Sequence, residues 1–317
     1  MIQVPMIFPG QASQSVGMAA DLMTGSGPGA TFLAQVDGLL DLGLTALMTD
    51  GPAETLTETW YAQPAILAHS VAVALELRAR GVTPSVVAGH SLGEFSAAVA
   101  AGALAPADGL RLVRRRGELM FAAGEKAPGT MAAIMGLDAD AVRRVCEATA
   151  AEHGVVVLAN HNSSNQIAIS GAPDAVAAAC EALKAAGARR AVMLNVSGAF
   201  HSPLLDDAAR EFAAHLQAVE VADPACPLVA NVSAAPVTDA ATLRAGFAAQ
   251  LTSPVRWHEI MGVLCAGPDG PPPLVLEVGP GKVLANLAKR EFPDTEFLSV
   301  GTAAELETVL DKLAQAG

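Results

Sequence analysis

The chain has 317 residues, with 19 Lys and Arg against 32 Asp and Glu, a formal charge of −13 and an isoelectric point near 4.9. That excess of acid excludes a nucleic-acid binder and a binder of anionic membranes, since both need a basic footprint; the length suffices for one large domain or two of ordinary size. Hydrophobic residues make up 52% and the mean hydropathy is +0.39, but much of this is Ala, and the longest candidate run, Phe95 to Ala107, is interrupted by Gly102 and Pro106 and is too short to span a bilayer.

Met1 to Gly10 lack the basic region and the small-residue cleavage site of a secretory signal, so a cytoplasmic location is expected. Cys146, Cys180, Cys226 and Cys265 show no CxxC spacing and read as reduced packing residues, neither a disulfide framework nor a metal site.

Short apolar runs alternate with Ala-rich helical stretches, the pattern of parallel strands joined by crossover helices. The first strand is Val4 to Phe8, followed by the loop Phe8-Pro9-Gly10-Gln11-Ala12-Ser13-Gln14, whose backbone N–H groups point towards the carboxyl edge of a sheet. The second is Val86 to Ala88. Directly after it, Gly89-His90-Ser91-Leu92-Gly93 leads into a helix-competent stretch, Glu94 to Ala101. Alone, G-x-S-x-G is a weak pattern; between strand and helix it is the context of a nucleophile elbow, where the glycines relieve crowding in a tight turn.

Ala107 to Ala122 reads as an amphipathic helix with Leu112, Val113, Gly117 and Met120 on one stripe. Arg116 lies on that stripe and points inward, whereas Arg111, Arg115 and Glu118 share the opposite face. A buried guanidinium demands an anionic partner. Two are open: an internal salt bridge to Glu94 or another acid, or bidentate capture of a substrate carboxylate.

From Thr130 to Asn195 the order is strand (131–135), helix (139–152), strand (155–159), strand (166–170), helix (173–186), strand (190–194), the βαββαβ order of a ferredoxin-like unit. Gly124 to Gly129 is the expected entry linker and Ser197-Gly198 the exit. His201 then stands before a helix announced by Ser202 as N-cap and Pro203 at N1, at a strand end where α/β sheets place catalytic groups. It is the candidate base for Ser91. His90 points away at a sharp turn, and His69, His153 and His215 read as helical or surface residues. Gly267 to Pro273 is a surface loop, and Leu274 to Val278 a third strand of the large sheet.

Together these segments resemble the malonyl-CoA:acyl carrier protein transacylase family. The resemblance runs through Phe8–Gln14, Gln63-Pro64-Ala65, Gly89–Phe95, Arg116-Gly117, Gly129–Gly136, Asn160–Gly171, Gly198–Pro203, Ser253-Pro254-Val255 and Glu277–Gly281. It implies an α/β fold: an α/β-hydrolase-like core with a parallel sheet, residues 1–127 and 198–317, and an inserted ferredoxin-like subdomain, residues 128–197. It implies that Ser91 is the acyl-accepting nucleophile and His201 its base. Gln11 and Leu92 would supply the oxyanion hole through backbone N–H groups, and Arg116 would hold the malonyl carboxylate. The His in this family is oriented by a backbone carbonyl, which Gln250 matches. Asn160 and Asn162 match positions lining the cleft, and Phe200 in Gly198-Ala199-Phe200-His201 matches the residue that fills the space of an α-methyl group. The aliphatic Leu92 also goes with malonyl selectivity. One departure is Ala12, where the family carries Gly; a positive φ there would strain the loop.

The resemblance implies malonyl-CoA as substrate, an acyl carrier protein bringing its own phosphopantetheine as transient partner, no bound cofactor or metal, and a monomer. Within it, fatty-acid synthesis, polyketide synthesis and a malonate decarboxylase subunit stay open, with Glu94 and the free-standing length favouring the first. Two other classes compete: a serine esterase or thioesterase, for which Ser91, Asp239 and His258 stand in α/β-hydrolase order, and a non-catalytic docking module for carrier proteins. Acyl carrier proteins are acidic, so an acidic chain should gather basic groups locally. Residues 111–126 hold five cations against two acids, and Arg189, Arg190, Lys282, Lys289 and Arg290 extend the expected basic rim.

Overall fold

The computed structural model describes residues 1–196, 198–267 and 270–316. Ser197 of the expected exit linker, residues 268–269 of the expected surface loop and the terminal Gly317 lie outside the described residues.

The strands are β1 (Ile2–Phe8), β2 (Val82–Gly89), β3 (Thr130–Met135), β4 (Val156–Ser163), β5 (Gln166–Gly171), β6 (Arg190–Met193), β7 (Leu228–Val229), β8 (Pro236–Val237), β9 (Leu274–Val278) and β10 (Glu296–Val300). One sheet has the order β10-β9-β1-β2-β7-β8, parallel except for the β7–β8 hairpin pair. The other, β4-β5-β3-β6, is antiparallel throughout.

The large sheet is covered on both faces, as a parallel sheet must be. Phe8 and Val87 belong to one apolar cluster and their neighbours Ile7 and Ala88 to the other. β2 runs four residues further upstream than its apolar run predicts, because Pro84 is absorbed where the β1–β2 register shifts between Val4 and Met6. The second sheet has a core of its own, built from Ile134, Ile167 and Ile169 against the helices Ala139–His153 and Pro173–Ala185. Asp138 caps the first of these by accepting the Ala141 N–H at 2.7 Å, and Pro173 occupies N1 of the second.

The two sheets meet at β4. Val255 donates its N–H to Ala159 O at 2.8 Å and accepts from His161 N–H at 2.9 Å, so the edge of the small sheet is fastened to a loop of the large unit. Alternation then turns Asn160 and Asn162 to one side and His161 to the other. Between the units lies a cleft of about 310 Å³.

Candidate active site

Ser91 sits at the end of β2, before the helix Gly93–Ala100, with φ at 50°. The turn is possible because its flanking glycines have no side chains: a Cβ on Gly89 would lie 1.9 Å from the Gly93 carbonyl carbon, and one on Gly93 would lie 2.1 Å from Phe8 O. The hydroxyl is 2.8 Å from His201 Nε2. His201 Nδ1 faces two carbonyl oxygens, Gln250 O at 3.0 Å and Ser253 O at 3.1 Å. Carbonyls only accept, so Nδ1 carries the proton and Nε2 presents its lone pair to Ser91. Burial, with the charge of Arg116 and the proximity of His90, pushes the imidazole pKa down to about 3. The ring is therefore neutral at pH 7 and able to accept a proton from the hydroxyl.

Arg116 is 1% exposed. Each terminal nitrogen makes one short bond to an amide oxygen and one longer bond. Nη1 donates to Gln63 Oε1 at 2.9 Å and towards Met120 Sδ at 3.2 Å. Nη2 donates to Gln250 Oε1 at 2.8 Å and to Ser91 Oγ at 3.2 Å. Of the two partners open to Arg116, Glu94 is reached only through the Gln250 amide, not by a direct ion pair among the described residues. The two long bonds are the ones a carboxylate could replace, and one of them ends on the Ser91 hydroxyl itself.

Ser91, His201, Gln11, Leu92, Arg116, Phe200, Asn160 and Asn162 all line the cleft; Gln250 is buried behind it. The N–H groups of Gln11 and Leu92 have no hydrogen-bond acceptor among the described residues, which leaves them available to an oxyanion. Asn160 is 7% exposed and its Oδ1 is unpartnered among the described residues. Asn162 Oδ1 accepts from His90 Nε2 at 2.8 Å. Ala12 does take positive φ, at 80°.

A hydroxyl with a neutral imidazole on one side and a buried guanidinium on the other is suited to accepting an acyl group that carries its own negative charge. A family model described as an acyl transferase domain matches residues 6–304. The chain belongs to the acyl transferase domain family. It is 40% identical over 315 residues, 99% of its length and 98% of the relative's, to a protein named malonyl CoA-acyl carrier protein transacylase from Bacillus subtilis (strain 168). A protein of the same name from Haemophilus influenzae is 42% identical over 313 residues, 98% of each chain. Among solved structures, an acyl carrier protein S-malonyltransferase from Vibrio cholerae is similar with a TM-score of 0.91 at 40% identity, covering 96% of this chain and 99% of that one. The malonyl-transacylase solved in complex with its type II PKS acyl-carrier protein is similar with a TM-score of 0.91 at 39% identity, covering 98% and 99%.

In this acyl transferase domain, Asn231 and Glu94 complete the surroundings of Ser91. Asn231, buried just after β7, accepts the Ser91 N–H at 2.8 Å and donates Nδ2 to Gly89 O at 2.7 Å, bracing the turn from behind. Glu94 is buried beneath it and accepts the Asn231 N–H at 2.8 Å. A polar residue closing an apolar run, Leu228 to Ala230, is the cue that points to Asn231.

The Ser91, Asp239, His258 arrangement does not form. Asp239 caps the helix Ala240–Ala249 by accepting the Thr242 N–H at 2.8 Å, and His258 Nδ1 pairs with Glu291 at 2.9 Å. The expected basic rim is also less basic than composition implies. Arg116 belongs to the site itself, and Arg111, Arg114, Arg115 and Lys282 pair with Asp108, Glu118, Glu211 or Glu305. Lys126, Arg190, Lys289 and Arg290 carry no ion pair among the described residues.

Proposed function

We propose that the chain transfers the malonyl group of malonyl-CoA to the phosphopantetheine thiol of an acyl carrier protein, for fatty-acid or polyketide synthesis, through a malonyl ester on Ser91. Ser91 Oγ attacks the thioester carbon while His201 Nε2 takes its proton. The negative charge on the carbonyl oxygen is received by the N–H groups of Gln11 and Leu92, each worth on the order of 100-fold in rate. Collapse breaks the carbon–sulfur bond, and His201 returns its proton to the departing CoA thiol. The carrier-protein thiol then gives its proton to His201 and attacks the ester, and the same steps in reverse restore Ser91. His201 works without a carboxylate because two carbonyls hold its tautomer.

Arg116 binds the malonyl carboxylate by exchanging its long bonds to Ser91 Oγ and Met120 Sδ, keeping those to Gln63 and Gln250. Phe200, 6% exposed and lining the cleft, closes the space of an α-methyl group, with Asn160 and Asn162 on the wall that β4 forms. The α/β-hydrolase-like unit, residues 1–127 and 198–317, carries the reaction, and the ferredoxin-like unit, residues 128–197, forms that wall; the β4-β5-β3-β6 order supports the division. The proposed steps need no metal or resident cofactor. A monomer as the working unit and a cytoplasmic location belong to the same reading.

The observation that carries this reading is the fully charged, buried Arg116 within 3.2 Å of the Ser91 hydroxyl. An acetyl group would leave it without its anion, at a cost of a few kcal/mol. Arg116→Ala is therefore expected to lose at least about 100-fold in malonyl transfer while gaining relative to acetyl transfer. Steady-state kinetics with both acyl-CoA donors test this; an unchanged malonyl-to-acetyl ratio would remove the carboxylate clamp from the mechanism.

A further inference from the structure

Glu94 lies in the first turn of the helix Gly93–Ala100, three residues beyond Ser91, and is 1% exposed. An acid at a helix N-terminus gains from the helix dipole while facing water; this one is turned inward, where an ionised carboxylate is costly unless bonded. Its Oε1 accepts the Asn231 N–H, and its Oε2 accepts from the Gln250 side-chain amide. That amide nitrogen also reaches Ser91 O at 3.0 Å, while the amide oxygen accepts from Arg116 at 2.8 Å. A carboxylate offers only acceptors and a guanidinium only donors, so an amide between them satisfies both in a single orientation. The side chain of Gln250 is thus set by Glu94, and its main-chain carbonyl orients His201.

We propose that Glu94 is a positioning residue for acyl selectivity: by taking the amide hydrogens of Gln250 it commits the amide oxygen to Arg116, and so aims the exchangeable N–H groups of the guanidinium at the acyl group on Ser91. The inference rests on the malonyl-transfer reading above. Glu94 places a negative charge near Arg116 without occupying any of its N–H groups. The guanidinium is therefore supported before substrate arrives, yet stays free to bind a second carboxylate. Burial raises the Glu94 carboxyl and lowers the Arg116 guanidinium, and each charge opposes the shift of the other.

Glu94→Gln tests this with almost no change of shape. The new amide keeps its acceptor for the Asn231 N–H and turns its NH2 towards Gln250, which must then reverse and present donors to Arg116. The expected result is a KM for malonyl-CoA about tenfold higher, with kcat changed less than KM, and a preference for malonyl-CoA over acetyl-CoA reduced by about the same factor. Glu94→Asp, which withdraws the carboxylate by one methylene, is expected to move both quantities in the same direction, and serves if the Gln variant does not fold. Equal losses for the two acyl donors, or a malonyl-CoA KM that stays at the wild-type value, would overturn the positioning role. Wild-type protein is scored first: absence of malonyl on wild-type Ser91 would overturn the functional reading itself, and with it this inference, whereas normal wild-type loading with unaltered variants overturns the inference alone.

Discussion

Three residues without the freedom of glycine hold left-handed backbone around the cleft: Ala12 at φ 80°, Ser91 at 50° and His201 at 57°. Strain of about 1–2 kcal/mol per such residue is tolerated where geometry serves a site. Ser91 and His201 need their side chains there, but Ala12 uses only its backbone, donating its N–H to Gln14 Oε1 at 2.9 Å. Ala12→Gly relieves the strain and adds disorder to the unfolded chain, leaving a net gain of about 0.5–1 kcal/mol. Urea unfolding should show a higher midpoint at an unchanged m-value; a lower midpoint would mean that Ala12 is unstrained.

At the scale of elements, the helix Gly93–Ala100 carries its cost in a single group. The Glu94 pKa is raised from 4.5 to about 7, chiefly by burial. Stability that is present when both folded and unfolded states hold this proton is lost as pH rises from 4.5 to about 7, at about 1.4 kcal/mol per pH unit. Glu94→Gln has no such loss. Its stability relative to wild type should therefore improve by about 3 kcal/mol between pH 4.5 and pH 8, read by denaturant unfolding at both values; a difference independent of pH would mean that Glu94 does not titrate in this range.

The elements legible in the sequence are those with a clear period or a marked end. The βαββαβ order was readable because each helix has a cap or a Pro at N1 and each strand runs long enough to alternate. Arg116 was readable from its place on an apolar stripe, and Ser91 from a glycine pattern between strand and helix. β7 and β8 were not, since two residues show no period, and in the edge strand β10 Glu296 and Ser299 interrupt an apolar run of the kind that marks β9. Asn231 follows β7, so the brace behind Ser91 was lost with the strand that positions it. Glu94 was legible only as a possible ion-pair partner of Arg116; its bonds to Asn231 and Gln250 come from packing. The choice between two partners for Arg116 also needed three dimensions, because Gln250 stands between the guanidinium and the acid and is 134 residues away from Arg116 in the chain.

For the molecule as a whole, net acidity and an acidic partner are compatible only if the partner meets local positive charge. Most cations near the helix Pro106–Lys126 are spent on neighbouring acids. Among the described residues, Lys126 at the end of that helix is unpaired, and the other unpaired cations sit elsewhere: Arg190 opens β6, whose following residues Leu194 and Asn195 line the cleft, and Lys289 ends the helix Val283–Ala288, whose Leu284 and Leu287 do the same. Arg190→Glu together with Lys289→Glu is expected to raise the KM for acyl carrier protein several-fold at low salt, with a smaller effect at high salt. Transfer to a small thiol should hardly change. Equal losses with both acceptors would place the steering charge somewhere else.

Malonylation of Ser91 is the step on which the proposed chemistry depends. Purified protein incubated briefly with malonyl-CoA, acid-quenched and digested should yield a peptide containing Ser91 that is heavier by one malonyl group, and addition of acyl carrier protein before quenching should remove it. Ser91→Ala should show no such peptide. Labelling that persists in Ser91→Ala, or wild-type protein that turns over malonyl-CoA with Ser91 unmodified, would contradict a malonyl-serine route.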